Sequence, residues 1–274
     1  MANIITLYES FAETQPARLK EITSAEAFAL IEEYCPGFDF EQKQLYPRIW
    51  RGSTHQEGPA YICNPAASLR RSAHASNSLY NVFISQYVQF DSRMFSLICS
   101  SEEEAASNFG TLYLVIPRKG TQINVCPDPD IFFSFKPLLN TIGAGDLGEL
   151  SDTLRLMFQQ VGIAAGTITD LDALKPAFDK LQAYVESPDF KEFKSDDRYT
   201  QQFEDSANML YITCRDSGET LYDFLSKALD PNKNGFTKYT YGEGRPPVLP
   251  DNELWLTGEC LLINYDELPD GQQL

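Results

Sequence analysis

Short apolar runs bounded by turn residues recur toward both ends of the chain, whereas the middle carries helix-period spacing of apolar positions. Residues 95–99 (FSLIC) and 111–116 (TLYLVI) predict two buried strands, the second closed by a turn at Pro117-Arg118-Lys119-Gly120 and extended by residues 122–125. Between them Ser100 and Ser101 lead into Glu102-Glu103-Glu104. Ser101 with Glu104 three residues on fits a capping box, and acids suit the first turn of a helix; two hydroxyls at a strand mouth equally fit a binding site. Residues 16–34 predict a helix capped by Ser24, with Ala27, Phe28, Leu30 and Ile31 on its apolar face, stopping before Pro36-Gly37. A strand at 46–50 delivers Arg51-Gly52 to its C-terminal end, and a helix is expected at 76–86. Further on, residues 141–150 (TIGAGDLGEL) read as a hinge, because no strand-to-helix parallel unit surrounds these glycines. Helices are expected at 151–165, 170–193 and 218–229, a strand at 209–214, and β segments at 239–242, 254–256 and 260–263. Helices set between strand blocks favour an α+β fold over a doubly wound parallel sheet.

The chain has 274 residues, 43% of them hydrophobic, enough for one large core or two modest ones. Its formal charge of −17 opposes a surface that holds nucleic acid by neutralising phosphates; Arg70-Arg71 and Arg118-Lys119 are the basic hints. No apolar run approaches the ~20 residues that cross a bilayer, and MANIITLYESFAET lacks the basic start and apolar core of a signal peptide, so no membrane association and a cytoplasmic location are expected. The six cysteines are scattered without a C-x-x-C pair and read as buried thiols. Only His55 and His74 are present, neither in metal-ligand spacing, which favours metal-free chemistry that a carboxylate can run.

Three places invite chemistry. Arg51-Gly52 joins a fixed cation to a backbone without a side chain, suited to a flat or phosphorylated ligand, while Arg70-Arg71 before a helix start is a second anion candidate. Ser100 and Ser101 are the second place. The third is Thr257-Gly258-Glu259, which runs into the apolar strand at 260–263; a carboxylate there either pairs with Arg48 or Arg51 or does chemistry.

In this order, Arg51-Gly52, Cys99-Ser100-Ser101 and Thr257-Gly258-Glu259 resemble the Arg, Ser-Thr-Ser and Glu motifs of ADP-ribosyltransferases, in the divergent form found among bacteriophage and toxin-like proteins. The resemblance is strongest over LICSSEEEAASNFGTLYLVIPRKGTQI. It implies a split β-sheet core at 45–265 with a helical insertion at about 145–230, an N-terminal helical segment at 1–44 and a tail at 266–274. It also implies NAD as co-substrate, with no metal. Arg51, or Arg71 in its place, would hold a phosphate of NAD, Gly52 would offer its backbone to the nicotinamide amide, Ser100 and Ser101 would orient the carboxylate, and Glu259 would be catalytic. Cys99 stands where the family has its first serine, and Thr257 where arginine- or asparagine-directed enzymes carry Glu or Gln. The expected activity is mono-ADP-ribosylation of a macromolecular acceptor, protein favoured over RNA or DNA, with an activating or neutralising partner and, for a phage-encoded protein, the host bacterial cytoplasm as its place. The alternatives are an NAD glycohydrolase and a non-catalytic acidic binding protein.

Overall fold

The computed structural model describes residues 19–42, 45–67, 78–195, 198, 200–244, 246–247 and 249–269. Arg70, Arg71 and His74 lie outside the described residues. The architecture is α+β, with a large antiparallel sheet and, among the described residues, eight α-helices. The strands are β1 (Leu19–Ile22), β2 (Ile49–Ser53), β3 (Ala60–Cys63), β4 (Leu97–Ser100), β5 (Thr111–Pro117), β6 (Gln122–Val125), β7 (Thr237–Thr240), β8 (Glu253–Leu256) and β9 (Cys260–Asn264). The helices are α1 (Ser24–Tyr34), α2 (Ser78–Ile84), α3 (Glu103–Ser107), α4 (Lys136–Ile142), α5 (Leu147–Gln159), α6 (Leu171–Val185), α7 (Glu204–Ser217) and α8 (Leu221–Ala228).

The chain forms two compact units, one of residues 1–70, 95–123 and 239–274, the other of residues 71–94 and 124–238. Sheet order is β1-β3-β9-β5-β2-β4-β8-β6-β7; the first seven strands in that order belong wholly to the first unit, and the chain crosses between units within β6 and β7. β5 is central because TLYLVIP is apolar on both faces and can be covered on both, with β2 and β9 as its antiparallel neighbours. β2 and β5 pair over five residues, Ile49↔Val115 to Ser53↔Thr111. β2 and β4, in contrast, share one bridge, Trp50↔Ser100.

The expected helix at 16–34 starts only at Ser24, because residues 19–22 pair with β3 as a strand. Its cap is Thr23 rather than Ser24: the Thr23 hydroxyl accepts from the Glu26 N–H, and Glu26 Oε2 accepts from the Thr23 N–H at 2.8 Å. The strand expected at 46–50 is shifted to 49–53, which puts Arg51 and Gly52 inside β2 instead of beyond its end.

In the second unit an aromatic cluster fills the core. Phe178 meets Phe158 and Phe83 with ring centroids 5.0 and 5.3 Å apart, and Tyr222 packs on it at 5.9 Å. Residues 209–214 are helical, within α7, and not the expected strand. MLYITC is too short to distinguish a strand from a helix by period, and the burial of Ala207, Leu210 and Cys214 at three- and four-residue spacing shows which won. Residues 141–150 are no hinge either. Gly143 (φ +71°) closes α4 in the left-handed region, and the Asp146 side chain caps α5 by accepting from the Glu149 N–H. That cap starts α5 at Leu147 and not at Ser151, and α6 ends at Val185, short of Pro188.

Candidate functional site

β2 and β4 meet at a single bridge, where the flanking pairs β2–β5 and β4–β8 share five and four. After the Trp50↔Ser100 bridge, the Arg51 side chain takes over from the main chain, its Nη1 donating to the Ile98 carbonyl at 2.8 Å. This fixes a guanidinium at the junction in a half-buried position. Gly52, the next residue, has no room for a side chain: a Cβ there would lie 1.9 Å from the Ala106 carbonyl oxygen and 2.9 Å from Phe109 Cβ. The missing side chain therefore admits α3 against β2, so this face of Gly52 is covered by the chain itself instead of standing open. Phe109 beside it is 66% exposed, a large ring held at the surface next to Arg51-Gly52.

On the other side of the junction β4 pairs with β8 over four residues, from Leu97↔Leu256 to Ser100↔Glu253. Directly opposed residues of an antiparallel pair point to one face with Cβ atoms roughly 5 Å apart. Ser100 and Glu253 are thus side-by-side, at 9% and 6% exposure. The Ser100 hydroxyl accepts the Glu102 N–H at 2.9 Å, which leaves its own proton to be donated. Ser101 does not cap α3. Its N–H donates to the Asn252 carbonyl at 3.0 Å and its hydroxyl accepts the Asn252 N–H at 2.8 Å, extending the β4–β8 ladder by one residue. Glu102 occupies the N-cap of α3, with no side-chain cap bond.

Glu259 is elsewhere. Along β5, Tyr113 opposes Arg51 while Pro117 opposes Cys260, so the start of β9 lies roughly 14 Å along the sheet and two strand spacings of about 4.8 Å across from Arg51. There Glu259 Oε1 accepts from the Tyr34 hydroxyl at 2.7 Å and from Arg118 Nε and Nη2 at 3.0 and 2.9 Å. The Arg118 guanidinium lies over the Tyr34 ring, 3.9 Å from its centroid, and also reaches Glu33 at 3.4 Å. The Tyr34 hydrogen bond, then Arg118, hold the Glu259 carboxyl below the usual carboxylate range, and burial with the bond to Glu259 pushes the Tyr34 phenol up. These contacts pin the C-terminal end of α1 to the turns around β9.

Of the expected site residues, the structure thus brings Arg51, Gly52, Ser100 and Ser101 to one junction, Gly52 and Ser100 on one face of the sheet and Arg51 on the other, and leaves Glu259 two strands away. The carboxylate that stands beside the serines is Glu253. The sequence carried a signal for it, since Asp251-Asn252-Glu253 leads into Leu254-Trp255-Leu256 as Thr257-Gly258-Glu259 leads into the next apolar strand. All six cysteines are buried as free thiols, Cys99 among them. Among the described residues no group of three or more His, Cys, Asp or Glu is placed to hold a metal ion, and no helix is long and apolar enough to cross a membrane. No family model, curated protein or solved structure matches the chain.

Proposed function

We propose that the protein is an NAD-consuming mono-ADP-ribosyltransferase whose site is Arg51, Ser100 and Glu253, with Glu253 taking the catalytic role expected of Glu259. The observation that carries this reading is the register Ser100↔Glu253 on β4 and β8; Trp50 opposes Ser100 on the next strand, and Arg51, one residue on, leaves β2 from the opposite face with its guanidinium at the Ile98 carbonyl on the edge of the same junction. The single bridge between β2 and β4 supports a sheet split at this point, as the resemblance implies. Arg51 supplies the cation for a phosphate of NAD, and Phe109, at the surface beside Gly52, an exposed ring for a planar group.

In the reaction the bond between the nicotinamide nitrogen and ribose C1′ breaks, and its electron pair neutralises the pyridinium. Positive charge then develops on the ribose ring oxygen and C1′, where a fixed carboxylate stabilises it. The nucleophile of a macromolecular acceptor bonds to C1′ and gives up its proton to Glu253 or to solvent. Ser100 stands beside the carboxylate with a hydroxyl proton left to donate to it or to the ribose. We take the acceptor to be a protein of the cell in whose cytoplasm the enzyme acts. The side chain it modifies is read from label transfer below.

Nicotinamide release by purified protein tests the assignment, with Glu253→Gln inactive and Glu259→Gln active; the reverse pattern overturns it. The chain has two tryptophans, Trp50 opposite Ser100 and Trp255 opposite Ile98, so intrinsic fluorescence reports NAD entering this site. Labelled NAD with a cell lysate, followed by protease or nuclease, identifies the acceptor. Label lost to nuclease and not to protease replaces protein by nucleic acid, and nicotinamide release without any transferred label makes water the acceptor.

A further inference from the structure

The second unit contains a cavity of about 720 Å³, within the ~300–1,000 Å³ typical of ligand pockets. Its walls combine the rings of Phe132, Phe133 and Phe203 with the carboxylates of Asp146, Glu149 and Asp152; Asp130 adds a fourth acid, and among the described residues no Lys or Arg lines it. Asp146 and Glu149 each use one oxygen on a main-chain N–H, that of Glu149 at 2.9 Å and that of Gly145 at 2.6 Å. Their second oxygens have no partner among the described residues. Asp152 is shared with Arg155 at 3.3 Å, and Asp130 accepts the Phe132 N–H.

Two features make this more than a solvated acidic turn. The space is concave and aromatic, and Phe133 is 54% exposed, so a large apolar ring is held out to a volume that other side chains can enter. Carboxylates without a matching cation repel phosphates, which turns the cavity away from nucleic acid. The complementary shape is a side chain with an apolar stem and a cationic head, seated over an aromatic face, next to an apolar residue.

We propose that this cavity is a docking pocket for a basic segment of a partner protein, taking an Arg or Lys side chain between the phenylalanines and the Asp146 and Glu149 carboxylates. The pocket rests on its own geometry, not on the reaction proposed above, so its test needs no NAD. The full chain is titrated at physiological salt against three labelled probes: a short peptide of Arg and Leu, its counterpart with Glu for Arg, and polylysine without apolar residues. The Arg/Leu peptide binds, the Glu/Leu peptide does not, and polylysine binds at least about tenfold more weakly per site. Phe133→Ala raises the Kd for the Arg/Leu peptide about fivefold, since a half-exposed ring is lost without opening the core. Glu149→Gln keeps an acceptor for the Gly145 N–H and raises the Kd about threefold. Ser206→Arg, which sets a cation in the cavity wall, abolishes binding. Polylysine binding as tightly as the peptide, or a Kd unmoved by Phe133→Ala, overturns the pocket in favour of a general acidic field, whether or not Ser206→Arg folds. A short single-stranded RNA that displaces the peptide overturns the choice of a protein partner.

Discussion

Glu253 and Glu259 each stand at the entrance of an apolar strand, β8 and β9, and the protein treats them in opposite ways. Glu253 is withdrawn into the sheet beside a serine whose proton is left to give. Glu259 is half-exposed and takes three donor atoms from Tyr34 and Arg118. A carboxylate with one oxygen held by a tyrosine and an arginine is a fastening, because its charge is largely compensated and its position is fixed. The difference teaches that the residues surrounding a carboxylate, and not its place ahead of a strand, decide what it stands against: the serine strand for Glu253, the end of α1 for Glu259.

The largest test of that contrast is Glu253→Gln against Glu259→Gln. The first lowers nicotinamide release by about 10²–10³-fold, the range seen when one preorganised charge-stabilising group is removed, while the second leaves it within about twofold. Circular dichroism melts on both variants separate chemistry from unfolding. Next in size is a pair of glycines. An added methyl at Gly52 meets the main-chain carbonyl of Ala106, which cannot move alone, whereas at Gly258 it meets the Thr121 side chain at 2.7 Å. Gly52→Ala therefore costs about 2–3 kcal/mol in urea unfolding and Gly258→Ala clearly less; equal midpoints would mean that α3 shifts freely. Arg51→Lys loses the planar fork and raises the Kd for NAD about tenfold by tryptophan fluorescence, while Arg118→Lys leaves it unchanged.

The smallest effect is on stability at the Glu259 end. Glu259→Gln costs on the order of 1 kcal/mol, because its partners are half-exposed. Its folded pKa lies below the unfolded value, so the contribution is present above the ordinary glutamate range and fades as pH falls through the folded pKa. The difference in Tm between wild type and Glu259→Gln thus shrinks on acidification below pH of about 4. A difference that grows instead would mean that Glu259 is not held as its contacts indicate.

The serine strand, β5 and its turn were legible because Ser100-Ser101 and Pro117-Arg118-Lys119-Gly120 end the apolar runs FSLIC and TLYLVI. Arg51-Gly52 was legible as a pair, although its strand was displaced by three residues, since nothing local distinguishes RIW from IWR. Glu253 was not. LWL is only three residues and follows a Pro- and Gly-rich stretch, whereas CLLI after Thr257-Gly258-Glu259 is longer and carries the stronger strand signal. What selects Glu253 is pairing with β4, fastened by Ser101 and Asn252, which are 151 residues apart. No window on the chain contains that information. Residues 209–214 failed for the opposite reason, a local run read without the neighbours that gave it a helical period.

The order of strands also sets when the protein can become itself. β9 is the last strand in sequence, yet it lies between β3 and β5, and its neighbour in sequence, β8, brings Glu253 to Ser100. During synthesis the early strands of the first unit must wait, with edges unpaired, until nearly all of the described chain has emerged. The carboxylate and the serine meet only after that long closure. A nascent chain is therefore prone to sticking, and on the reading proposed above it gains turnover of NAD only once β8 and β9 have emerged.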